Sequence, residues 1–121
     1  WSGNDDESFT ARHQFGGHGV ISVTSNLLPG LMRRLMDNND PALNQRLQAI
    51  MQWLFCEPNP IALNTALMMT KAVSPIFRVP YRALTLAQRR EGLALLAELA
   101  EDEWVGNELS LLDDSDFVYC A

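Results

Sequence analysis

The chain has 121 residues, 47% hydrophobic and 20% charged, with a formal net charge of −6. That composition belongs to a globular domain, not a disordered one, and the negative balance argues against binding the phosphate backbone of a nucleic acid. No apolar run reaches the roughly 18 residues of a membrane span.

The acidity is local. Glu98 to Asp116 holds eight acids and no base, while the remainder carries seven acids against nine bases. The two cysteines, Cys56 and Cys120, make no disulfide framework, which fits a reducing compartment. The first residue is Trp1, with no initiator Met, so processing or truncation is expected and no targeting peptide is there to be read.

In chain order, Trp1 to Gly3 is too short to assign alone. Asn4, Asp5 and Asp6 supply N-cap chemistry for a short helix over 7–15, with Gly16 as its C′ residue. Gly19 to Thr24 then reads as a strand. Val20 and Ile21 are apolar and point to opposite faces, the mark of a buried parallel strand. Such a strand needs neighbours on both edges, because its amide groups must be paired. No full-length partner is visible in these residues, so the partners are expected to lie in further sequence. In isolation the chain is then expected to be marginally stable and prone to aggregate.

Everything downstream reads mainly as helix. Leu28 to Met36 carries an apolar face. Asp40 caps the next helix, which runs to Phe55, and Pro41 takes its first position; Leu43, Leu47, Ile50, Met51, Leu54 and Phe55 form its apolar stripe. Glu57-Pro58-Asn59-Pro60 breaks it and opens a well-buried helix over 61–69. Residues 71–82, with Pro75 and Pro80, form an extended connector. Thr85 to Gln88 is a capping box, and the helix it starts should end near Glu101. The last twenty residues read as a peripheral acidic tail that packs partly and frays.

The chemistry-bearing residues are sparse. Gly16-Gly17-His18-Gly19 precedes its strand, whereas a dinucleotide loop follows one, so a turn is the better reading. His13, His18, Cys56 and Cys120 lack metal-ligand spacing. Asp5 and Asp6 read first as a helix-start pair, second as carboxylates lining a site. Lys71, the only lysine, sits between a helix end and a proline-rich connector and reads as solvated, not as a Schiff-base lysine. Arg78 and Arg82 read as surface cations.

Four stretches together are specific. Ser2-Gly3-Asn4-Asp5-Asp6, Gly19-Val20-Ile21-Ser22-Val23-Thr24-Ser25-Asn26, Glu57-Pro58-Asn59-Pro60-Ile61 and Phe77-Arg78-Val79-Pro80-Tyr81 occur in an order and spacing that resembles the dihydrodipicolinate synthase (4-hydroxy-tetrahydrodipicolinate synthase) family. Asn64-Thr65-Ala66-Leu67 and the tail from Trp104-Val105-Gly106 to Phe117 resemble its plant and algal branch. The resemblance implies an α/β fold, the C-terminal part of a (β/α)8 TIM barrel followed by a small helical domain. Trp1 to Gly3 would end strand seven, Gly19 to Thr24 would be strand eight, and the helix from Leu28 would close the barrel. The implied divisions are 1–39 for the barrel end, 40–101 for the helical domain and 102–121 for the acidic tail. A complete barrel of this kind needs about 250 residues, so the chain would be a C-terminal fragment.

The resemblance further implies a class I aldolase in lysine biosynthesis via diaminopimelate. A lysine would form a Schiff base with pyruvate, and the enamine would attack aspartate 4-semialdehyde. The catalytic lysine and tyrosine would lie N-terminal to Trp1, and Lys71 matches neither, so no catalytic residue is expected here. Ile21 matches the position whose backbone carbonyl faces pyruvate, Gly3 a backbone position on the aldehyde side, and Asn59 a residue supporting the pocket. Cys56 stands where the family commonly has His or Val. No cofactor and no metal is implied; the implied setting is a homotetramer in the chloroplast stroma. The alternatives are another pyruvate aldolase, such as an N-acetylneuraminate lyase, and a non-catalytic helical interaction module.

Overall fold

The computed structural model describes residues 1–121. Five helices carry the fold: α1 (Ser8–His13), α2 (Pro29–Asp37), α3 (Pro41–Leu54), α4 (Ile61–Met69) and α5 (Leu86–Ala97). Two three-residue strands, β1 (Ile76–Arg78) and β2 (Val118–Cys120), pair in parallel with Ile76 opposite Val118 and Arg78 opposite Cys120.

The helix starts follow from local chemistry. Asp40 Oδ1 accepts the Leu43 N–H at 3.0 Å and Pro41 takes the first turn of α3. Thr85 and Gln88 bond reciprocally at the start of α5, Gln88 N–H to Thr85 Oγ1 at 3.2 Å and Thr85 N–H to Gln88 Oε1 at 2.9 Å. Each side chain satisfies an amide that the first turn leaves without a partner. Gly16 has φ +69, the left-handed conformation that ends α1 without a Cβ penalty. The Asn59–Pro60 and Val79–Pro80 peptides are cis.

The core forms where the helices meet. Leu31 and Leu35 of α2, Leu47, Met51 and Leu54 of α3, Ala62 and Ala66 of α4 and Leu96 of α5 join one buried cluster that Phe9 and Trp104 extend. Burying each leucine contributes about 1.5–3 kcal/mol, so the helical bundle is held mainly by this contact surface. Buried residues surround α4 on most sides, as its continuous apolar sequence requires.

The last helix stops at Ala97, short of the Glu101 expected, and Phe55 lies just past the end of α3, 47% exposed. Two segments depart further from the sequence reading. The expected strand Gly19 to Thr24 is reduced to one parallel bridge between Ser2 and Val20; the chain then turns into a 3-10 helix at Thr24–Asn26. Neither Val20 nor Ile21 is fully buried, and Ile21 is 73% exposed. The reason is the one that made the strand conspicuous: a single neighbour is present and the far edge has none. The tail, expected to fray, is instead strapped down. Arg89, 0% exposed, donates from Nε to the Leu84 carbonyl at 3.0 Å and from its two Nη groups to the Leu112 carbonyl and Asp114 Oδ1. Its guanidinium lies 5.0 Å from the Phe117 ring centroid, a cation–π contact. Beyond this clamp β2 pairs with β1 inside what read as an extended connector. Residue 106 must be glycine, because its φ of +130 is unsuited to a side chain and a Cβ would fall on the Thr70 carbonyl.

Candidate functional site

The point of convergence is the paired ends of the two short extended segments. Ser2 N–H donates to the Gly19 carbonyl at 3.0 Å and Ile21 N–H donates to the Ser2 carbonyl at 2.8 Å. In a parallel ladder the next bond would run from Asn4 N–H to the Ile21 carbonyl. It is not made: Asn4 N–H turns to Ser2 Oγ at 3.3 Å as the chain enters the 3-10 helix Asp5–Glu7. The Ile21 carbonyl is therefore left open between the C-terminal ends of the segments, with no partner from the chain. The Val20 N–H and C=O face the opposite edge and are also unpaired.

Gly3 lies beside this opening. It is exposed, and a Cβ built on it meets nothing within 4 Å. Ser2 thus brings two of the three sequence-singled positions, Gly3 and Ile21, together. Asn59 is not joined to them by any hydrogen bond; it is exposed in the turn between α3 and α4.

Asp5, read first as a helix-start acid and second as a carboxylate lining a site, lies beneath the opening. Asp5 is 1% exposed, and its Oδ2 accepts from Val23 N–H at 3.1 Å, Thr24 N–H at 2.8 Å and Thr24 Oγ1 at 2.7 Å. It does not cap its own turn, as the run of acids had implied. Its Oδ1 is buried without a partner. Only the burial of one acid among three neighbours distinguishes it, and no local sequence pattern carries that. A cleft of about 440 Å³ lies alongside, lined by Asn4, Asp5, Asp6, Glu7, Met51, Gln52 and Phe55. Three acids and no cation line it, so it is ill suited to an anionic substrate.

The remaining candidates are structural. His13 Nε2 lies 2.8 Å from the Leu35 carbonyl and Arg12 donates to the Met36 and Gly17 carbonyls, closing the end of α2. Lys71 pairs with Glu108 at 2.8 Å on the surface. Arg82 lies over the Tyr119 ring. No three His, Cys, Asp or Glu side chains converge on a point where a metal ion would fit. Partial burial, with Glu57 and Glu91 nearby, pushes the Cys56 thiol up.

The sequence profile of the Dihydrodipicolinate synthetase family matches residues 1–99. The chain belongs to that family. It is 52% identical over 120 residues to the chloroplastic 4-hydroxy-tetrahydrodipicolinate synthase of Nicotiana tabacum and 49% identical to enzyme 1 of Arabidopsis thaliana; each match takes in 98% of this chain and 33% of the relative. The chain thus spans about a third of the length of the curated relatives it matches. Among solved structures it resembles the dihydrodipicolinate synthase of Thermotoga maritima, with a TM-score of 0.71 and 31% identity over 81% of this chain and 35% of that one. A monomeric dihydrodipicolinate synthase variant gives a TM-score of 0.72, also at 31% identity over 81% of this chain and 35% of the variant. The fold is accordingly the C-terminal part of a (β/α)8 barrel with its helical appendage, mostly helical in this chain. In dihydrodipicolinate synthetase family terms, the two extended segments joined at Ser2 and Val20 are barrel strands, and the opening at Ile21 lies at their C-terminal ends, the face where barrels keep their sites.

Proposed function

We propose that the chain is the C-terminal third of a 4-hydroxy-tetrahydrodipicolinate synthase, which condenses pyruvate with aspartate 4-semialdehyde in lysine biosynthesis via diaminopimelate. The reaction begins on a lysine N-terminal to Trp1. Its amine and the pyruvate ketone lose water to form an iminium, which loses a methyl proton to become an enamine. The enamine carbon attacks the aldehyde; the amino group of the adduct then attacks the imine carbon, which closes the ring and releases the lysine amine. This chain contributes wall, not the nucleophile. The single observation supporting the reading is the open Ile21 carbonyl, at the C-terminal end of a barrel strand in a chain half identical to these enzymes. An oriented carbonyl dipole there favours positive charge on the iminium. Gly3 offers backbone without a side chain on the aldehyde side, and Asn59 supports the pocket from its turn. The enzyme works without metal or cofactor, as a homo-oligomer, a tetramer, in the chloroplast stroma; the plant relatives are named as chloroplastic.

The test is borohydride trapping with labelled pyruvate. The full-length protein is expected to take up label on a lysine upstream of Trp1, and the 121-residue chain alone to take up none. Label on Lys71, or none on the full-length protein, would overturn the proposal. The unpaired edge at Val20 disfavours a self-sufficient helical module, because an isolated domain seldom leaves a strand edge so open.

A further inference from the structure

An open carbonyl binds or polarises a ligand only if its peptide plane is held in one orientation. The Ile21–Ser22 plane is held from two sides. On the upstream side, Ile21 N–H is fixed by the Ser2 carbonyl at 2.8 Å. On the downstream side, Val23 N–H, Thr24 N–H and Thr24 Oγ1 all converge on one oxygen, Asp5 Oδ2. The neighbouring carbonyl, that of Ser22, is taken up locally by Ser25 Oγ at 3.1 Å and Asn26 Nδ2 at 3.3 Å, so it does not compete for the opening.

Asp5 does not serve its own turn. It makes no ion pair, and its carboxylate, at 1% exposure with one oxygen unsatisfied, accepts the first amides of the 3-10 helix Thr24–Asn26 that follows Ile21. Burying an ionised carboxylate is costly unless several donors meet it, and the donors that meet this one belong to the residues just beyond Ile21. An apolar side chain would serve as well if filling space were all that was required. The acceptor oxygen holds the Val23 and Thr24 amides inward, which turns the chain out of its strand and leaves the Ile21 carbonyl facing the opening.

We propose that Asp5 is a positioning residue for the pyruvate-facing carbonyl of Ile21, acting through the amides of Val23 and Thr24; this rests on the function proposed above. It does not touch substrate. Its effect is on the ketoacid and not on the aldehyde, because the bonds it makes end on the Ile21 side of the opening and not on Gly3.

The experiment compares wild type, Asp5→Ala, Asp5→Asn and Thr24→Val in the full-length enzyme, with steady-state kinetics in both substrates and borohydride trapping of pyruvate. Asp5→Ala is expected to raise the KM for pyruvate about 10- to 100-fold, as a misplaced binding group does, while the KM for aspartate 4-semialdehyde stays near its wild-type value. Asp5→Asn, which keeps an acceptor for the two amides, is expected to recover most of the loss. Thr24→Val, which removes only the hydroxyl donor, is expected to give a smaller rise in the same direction, and it carries the test if Asp5→Ala does not fold. Amide hydrogen exchange adds a readout independent of activity: the Val23 and Thr24 amides should exchange faster in Asp5→Ala, with the α3 and α4 amides unchanged. Equal losses in both substrates' KM, a pyruvate KM unmoved in folded variants, or unaltered exchange at Val23 and Thr24 would each overturn the assignment. A wild-type enzyme that traps no pyruvate would refute the proposed function instead, and the two failures are told apart by that first measurement.

Discussion

Gly92 sits on the inner face of α5, against the indole of Trp53 on α3. The Trp53 ring is 2% exposed, and its Nε1–H donates to the Gln88 carbonyl at 2.8 Å, one turn earlier on α5. A Cβ at position 92 would lie closer than 3.0 Å to Trp53 Cζ2, Cε2 and Cη2, separations that real Cβ atoms do not show. Gly92→Ala therefore sets two effects against each other. Alanine gains about 1 kcal/mol over glycine in a helix interior. Forcing a methyl group into a packed contact costs about 1–3 kcal/mol. If the ring swings away to make room, a buried N–H loses its acceptor, at a further cost of about 1–3 kcal/mol. The net destabilisation expected is about 0–2 kcal/mol if the ring stays and about 1–5 kcal/mol if it loses its acceptor, on the scale where 1 kcal/mol moves the midpoint of a small domain by about 4–8 °C. Urea unfolding followed by far-UV circular dichroism measures it. In a Trp53→Leu background the steric term disappears, so Gly92→Ala should become neutral or stabilising by up to about 1 kcal/mol. If the alanine stabilises the wild-type chain, or costs the same in both backgrounds, the helix contact is not what selects glycine.

The same assay tests three further contacts. Arg89→Met should cost about 2–6 kcal/mol, because it strands the Leu84 and Leu112 carbonyls that the buried guanidinium satisfies, at about 1–3 kcal/mol each. Asp114→Asn should cost at most about 1 kcal/mol, since that side chain is 85% exposed and the carbonyls do most of the holding; equal losses would refute that division. Asp40→Ala should cost about 1 kcal/mol through the lost cap of Leu43 N–H. Cys56 offers a chemical test. Burial first, then Glu57 and Glu91, raises its pKa, so less of it is thiolate at pH 8 than in the unfolded chain. Iodoacetamide should label it more slowly in the folded chain than in urea, and Glu57→Gln should speed the folded reaction by removing a negative neighbour. Mass spectrometry of the labelled peptides separates it from Cys120.

The readings that held were those decided within four residues. Asp40-Pro41 and the Thr85–Gln88 box start their helices where expected, because a cap and its amide lie in the same turn; α4 also starts after Asn59-Pro60, without a side-chain cap. The four motif stretches placed the chain in its family, and the shortage of partners for Val20 and Ile21 was itself legible: amide groups can be counted from sequence before their positions are known.

What only the tertiary structure decided were the bonds that join distant residues. The inner face of α5 is built from Arg89, Gly92 and Leu96, a charge and a residue without a side chain, so hydropathy could not reveal it. Its sense comes from the Leu112 carbonyl and from Trp53, both far along the chain. β1 became a strand only because Val118 to Cys120 returned to pair with it. Asp5 looked like one acid in a row until folding laid it beneath Val23 and Thr24, eighteen and nineteen residues away. Local hydrogen bonds are selected by neighbouring residue types, whereas a long-range bond depends on where packing delivers its two ends.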